Sequence, residues 1–169
     1  MRRVAVAFVV LVAIGACGQG KSSRADRGVA GKTIKPLAAG LVPGQVLGLQ
    51  TSEEDVSKAL AGGNQSYVET TSVYSFRKDN LLEATMQVSR FLNGANYQSP
   101  KFRETLVASV GGVLPTQVRV GQDVVYLTAA NQQRIAVWFK GPYLFIVATR
   151  EDYGQPRALV RQLLGVNPS

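Results

Sequence analysis

Leu82, Ala84, Met86 and Val88 alternate with Glu83, Thr85, Gln87 and Ser89, a period of two that turns one face of a strand to a core and the other to water. Val68 to Phe76, dense in Thr, Val, Tyr and Phe, pairs with it across the polar turn Arg77-Lys78-Asp79-Asn80. Later in the chain a meander of three strands is expected, at roughly Val118 to Thr128, Arg134 to Lys140 and Tyr143 to Thr149, linked by Asn131-Gln132-Gln133 and Gly141-Pro142. Three helices interrupt this pattern. The first is signalled by Thr51-Ser52-Glu53-Glu54, a capping box ahead of Val56, Ala59 and Leu60, with Gly62-Gly63 as its stop. Pro100 starts the second, which carries Phe102, Leu106 and Val110 on one face up to Gly111-Gly112. The third begins near Pro156, turns Leu159, Val160, Leu163 and Leu164 inward and ends at Gly165. With a strand before the first helix, the order is strand, helix, two strands, helix, three strands, helix. Short connections favour antiparallel neighbours, so the expected fold is α+β, a single antiparallel sheet of about five to six strands with three helices packed mainly on one face.

The last two strands break the alternation. Ile135, Val137 and Phe139 oppose Ala136 and Trp138, while Tyr143, Phe145 and Val147 oppose Leu144, Ile146 and Ala148. Strands apolar on both sides are either central and covered twice, or they leave one face open to a ligand or partner. The open alternative makes Trp138, Tyr143 and Phe145 an apolar ligand surface, suited to a lipid.

The chain begins with Met1-Arg2-Arg3, an unbroken apolar run from Val4 to Ile14, and then Gly15-Ala16-Cys17. A basic start, an apolar stretch and small residues before a cut make an export signal. A membrane span needs about 20 apolar residues, and Val4 to Ala16 is shorter. Ile14-Gly15-Ala16-Cys17 resembles the lipobox of bacterial lipoproteins. That resemblance implies cleavage before Cys17 and lipidation of its sulfur, and so a protein held on the extracytoplasmic face of the cell membrane. Each acyl methylene that enters the bilayer contributes about 0.8 kcal/mol. The expected organisation is a signal peptide over 1–16, a lipidated Cys17 with a flexible basic tether to 44, and one domain over 45–169, long enough for a single core.

Charge and composition narrow the chemistry. The net charge of +8 is uneven: residues 18–44 carry +4, the domain from 45 onward only +2. The basicity therefore sits beside the membrane, where it either attracts anionic head groups or keeps a solvated linker extended. Cys17 is the single cysteine and there is no histidine, which removes thiolate and imidazole metal sites, disulfides and the common nucleophile–histidine pairs. No cofactor or metal is expected.

Several short motifs yield little. Gly28-Val29-Ala30-Gly31-Lys32-Thr33 ends like a phosphate-binding loop, but Asp26 stands where that loop needs glycine. Ser75-Phe76-Arg77-Lys78 has the Ser-x-x-Lys spacing of penicillin-binding enzymes without their companion motifs. Glu53, Glu54 and Asp55 fit a helix's first turn better than a metal cluster. Phe76-Arg77, Lys101-Phe102-Arg103 and Phe139-Lys140 set aromatics beside bases, but the near-neutral domain argues against nucleic acid.

Two polar stretches are candidates for a partner surface: the turn Arg77, Lys78, Asp79 and Asn80, and the loop Arg150, Glu151, Asp152 and Tyr153. The element order behind a lipobox and tether resembles small actinobacterial envelope lipoproteins with a PsbP-like fold, a resemblance that brings no functional residues with it. The expected function is a membrane-anchored, non-catalytic interaction module with an envelope protein as partner. A carrier or sensor of an apolar ligand is the alternative, and a histidine-free hydrolase the outsider.

Overall fold

A computed structural model describes residues 37, 40–55, 68–92, 96–111 and 114–168. Eight strands form one antiparallel sheet: β1 (Gln45–Val46), β2 (Leu49–Glu54), β3 (Val68–Lys78), β4 (Leu81–Phe91), β5 (Thr116–Val120), β6 (Asp123–Ala130), β7 (Gln133–Lys140) and β8 (Tyr143–Arg150). Their spatial order is β1-β2-β3-β4-β8-β7-β6-β5. Two four-strand meanders thus meet at the β4–β8 pair, where Met86 lies opposite Val147 and Val88 opposite Phe145. Helix α1 (Pro100–Val110) follows the first meander and α2 (Pro156–Leu163) the second.

This corrects the expected five to six strands and three helices: the sheet has eight, and two helices lie among the described residues. Two hairpins account for the extra strands. Leu47-Gly48 and Gly121-Gln122 each reverse the chain within a stretch that patterning alone leaves undivided. Thr51 to Glu54, expected to open a helix, is strand β2, paired from Gln50↔Arg77 to Glu54↔Val73. Its capping-box spacing is outweighed by pairing along β3, and the remainder of that expected helix, from Val56 on, lies outside the described residues.

The helices also occupy opposite faces, not one. Leu159, Val160 and Leu163 of α2 join Tyr74, Phe76, Met86, Val88, Trp138, Phe145 and Val147 in one core. Leu106 and Val107 of α1 join Phe91, Ile135, Val137, Leu144 and Ile146 in the other. Alternate residues of β7 and β8 feed each core, and this double burial is why their sequences are apolar throughout. Pro100 at the start of α1 and Ser99, whose Oγ accepts from Phe102 N, fix where that helix begins.

The polar side of β4 is covered as well. Thr85, Gln87 and Ser89 are buried, a correction to the wet face that alternation predicts. Their polar atoms are accommodated by local pairing, Thr71 Oγ1 with Ser89 Oγ at 2.9 Å and Gln87 Nε2 donating to Ser89 Oγ at 3.1 Å. The chain also joins the core ahead of β1: Val42 is buried, Leu37 and Leu41 pack on the α2-side core, and Leu37 N donates to Ser72 Oγ at 3.0 Å.

Candidate functional site

Antiparallel pairing dictates which loops share an end of the sheet. β2, β4 and β7 start where β3, β8 and β6 finish, as shown by Gln50↔Arg77, Lys78↔Leu81, Ala130↔Gln133 and Gln133↔Arg150. The turns Leu47-Gly48, Asp79-Asn80 and Asn131-Gln132 and the loop after Arg150 therefore form one rim. Both candidate stretches, Arg77 to Asn80 and Arg150 to Tyr153, lie on it, separated only by β4. Glu151 N donates to Gln132 O at 3.2 Å and ties the loop to its neighbouring turn.

All three turns place both central residues at positive φ: 49° and 77° at Leu47 and Gly48, 50° and 66° at Asp79 and Asn80, 50° and 61° at Asn131 and Gln132. Such two-residue turns match the twist of the flanking strands and favour Asn, Asp and Gly. Leu47 and Gln132 are the exceptions. A leucine in the left-handed region costs about 1–2 kcal/mol, and this one is 40% exposed, so only partial burial offsets the strain. Leu81, at the end of the neighbouring hairpin, is 50% exposed. Sequence reasoning passes over both leucines, because neither interrupts an apolar pattern; the signal available is Leu-Gly where Asn-Gly is the usual turn.

Charge on the rim is mixed. Arg77 lies 3.8 Å from Glu54, with both side chains substantially exposed, so the pair contributes little to stability. Arg150 holds Asp152 through two contacts, Nε to Oδ1 at 2.9 Å and Nη2 to Oδ2. Lys78, Asp79, Asn80 and Glu151 are exposed. Tyr153 packs partly on the α2-side core, and burial, followed by the Glu83 carboxylate, pushes its phenol above the usual tyrosine value. Glu83 is the β4 residue skipped by the register at Phe76/Arg77, where Phe76 pairs with Ala84 and Arg77 with Leu82, and such bulges re-aim side chains.

The candidate apolar surface lies elsewhere. Trp138 and Phe145 are 0% exposed and stack with centroids 5.1 Å apart, 6° from parallel. They share their core with Leu159, Val160 and Leu163 of α2. Tyr143 is half-buried at the edge of the same core. The Trp138 indole N–H is buried and has no hydrogen-bond partner among the described residues.

The motif residues are scattered by the fold. Ser75 is buried, its hydroxyl 2.8 Å from that of Ser52, while Lys78 is exposed at the strand end. Positions three apart on a strand face opposite sides, so the two make no nucleophile–base pair. Of the aromatic–base stretches, Arg103 lies 4.8 Å from the centre of the Phe139 ring, and Phe91 contacts Tyr97, Phe102 and Phe139. That cluster belongs to the α1-side core. Lys140 instead donates to the carbonyls of Leu164 and Val166 at the end of α2, and Phe76 is buried on the α2 side. The bases are thereby dispersed.

Among the described residues no group of three or more His, Cys, Asp or Glu is placed to hold a metal, and no helix is long and apolar enough to cross a membrane. Cys17, the lipobox, most of the tether and the Gly28 to Thr33 stretch lie outside the described residues. No family model, curated protein or solved structure matches the chain.

Proposed function

We propose that this is a lipid-anchored extracytoplasmic protein that docks an envelope protein through the rim built from the β1–β2 and β3–β4 turns and the β8–α2 loop. The observation that carries this reading is the coincidence, at one end of the sheet, of two exposed leucines, one of them strained, with both polar candidate stretches. Two exposed leucines on a rim of mixed charge have the composition of an interaction patch: the leucines supply desolvation and the charges orientation. Strain retained at an exposed position is a mark of function in preference to stability.

The tether supports this arrangement. Leu37 meets β3 at Ser72, six residues before Lys78, so the anchored segment enters about 20 Å along the strand from the rim. A domain held from that point leaves its rim free to meet a partner. Lipidation at Cys17 rests on the lipobox, and a Cys17→Ser chain is expected to leave the membrane fraction.

The carrier alternative is less favoured, because Trp138 and Phe145 are fully buried against each other and a ligand reaches them only by displacing α2. Native mass spectrometry of the full chain, extracted from its own envelope in mild detergent, separates the two readings. Docking predicts a second protein bound to the native chain and lost from a Leu81→Asp variant. A stoichiometric lipid that persists in that variant contradicts docking and makes the protein a carrier.

A further inference from the structure

The two edges of the sheet are unlike. β1 is two residues long, Gln45–Val46, and a very short edge strand is one way proteins blunt an edge. β5, at the other end, runs five residues, Thr116–Val120, and among the described residues pairs on one side only, with β6. Arg119 is its one charge and Pro115 stands just ahead of it, but within the strand there is no lysine, no proline and no register shift against β6, so neither a bulge nor an interior proline guards this edge. Thr116, Gln117 and Arg119 are exposed, Val118 and Val120 are half-buried on the α2-side core, and Leu114 just ahead of the strand is 89% exposed.

We infer that β5 is a self-association edge, which pairs antiparallel with β5 of a second copy about a two-fold axis through Val118 and joins two sheets into one. The sequence Thr-Gln-Val-Arg-Val is complementary to its own reverse. Two-fold pairing sets Val118 opposite Val118 on the axis, with Thr116 opposite Val120 and Gln117 opposite Arg119 each occurring twice by symmetry. The valines and threonine extend the α2-side face of the sheet. On the other face each Arg119 meets a neutral amide acceptor, and no like charges face one another. The outward backbone groups of β5 find the partners that an edge strand otherwise lacks. This interface is small, at the low end for specific association, so the dimer is reversible in solution. It involves neither the rim nor the proposed docking function, and rim variants leave it unchanged.

Sedimentation equilibrium of the full chain in density-matched detergent tests this with two substitutions at an exposed position. Gln117→Glu places a carboxylate opposite Arg119 and is expected to tighten the dimer roughly threefold or more, whereas Gln117→Arg opposes two guanidinium groups and loosens it by a similar factor. Mild oxidation adds a test of register: Val118→Cys is expected to form disulfide-linked dimer well ahead of Val120→Cys. A native chain that stays monomeric overturns the inference. So do Gln117 variants that shift together or not at all, or cysteines at 118 and 120 that cross-link equally.

Discussion

Leu47 shows most clearly, at the scale of single residues, that this chain is not optimised for stability alone. It holds φ near 49° while 40% exposed, so full burial does not offset the strain. Leu47→Gly removes the left-handed penalty and is expected to stabilise the protein by about 1 kcal/mol in urea unfolding, offset in part by the greater freedom of glycine in the unfolded chain. The same variant lacks a rim side chain, so more stability together with weaker docking is the predicted signature. Tyr74 carries a second prediction. Its hydroxyl is buried. Burial first, and then the Glu53 carboxylate, push its pKa up, and hydrogen bonding with the Ser72 side chain acts the other way. A phenol whose folded pKa lies above the unfolded value of about 10 contributes its stability fully below that pH and loses it as pH rises through the folded value. Urea midpoints are therefore expected to fall above about pH 10, and Tyr74→Phe to lessen that fall while changing little at pH 7. Tyr153, raised for a similar reason, sustains the remaining slope.

At the scale of elements, both helices are legible in sequence because their signals are local. Ser99 and Pro100 open α1, and Pro156 opens α2 ahead of Leu159, Val160 and Leu163. What patterning misses is set by distant partners. Thr51 to Glu54 has a helix-capping spacing and is a strand because β3 lies beside it. Whether Thr85, Gln87 and Ser89 meet water depends on what packs over them, which no period reveals. Contacts between elements yield two further predictions. Lys140 Nζ donates to the Leu164 and Val166 carbonyls beyond α2, a cap supplied by a strand, so Lys140→Met is expected to cost about 1–2 kcal/mol. Hydrogen exchange should then rise at the end of α2 before it rises elsewhere. Gly111, just after α1, has room for no side chain: a Cβ there lies 2.0 Å from Thr128 Oγ1 and 2.7 Å from Thr128 Cβ. Because the backbone-fixed Cβ is among the obstructing atoms, rotation of Thr128 does not relieve the clash, and Gly111→Ala is expected to cost about 1–3 kcal/mol in thermal or urea unfolding.

The whole molecule is governed by one non-local pairing, β4 with β8. It joins the two meanders, places α1 and α2 on opposite faces and brings the Arg77 to Asn80 turn beside the Arg150 to Tyr153 loop. Each stretch is recognisable in the sequence as a polar connection, but their meeting is not, since Asn80 and Arg150 lie far apart along the chain. The apolar character of β7 and β8 fits two readings in sequence, and coverage of both faces decides for central strands over an open one. Docking through the rim is most directly tested by a photo-reactive residue introduced at Leu81 in the full chain, with the same residue at exposed Gln162 on α2 as the comparison, cross-linked in intact cells. A discrete protein adduct from position 81, absent from 162 and diminished by Leu47→Gly, is the predicted result. Adducts that are lipid only, or that form equally from both positions, would contradict it.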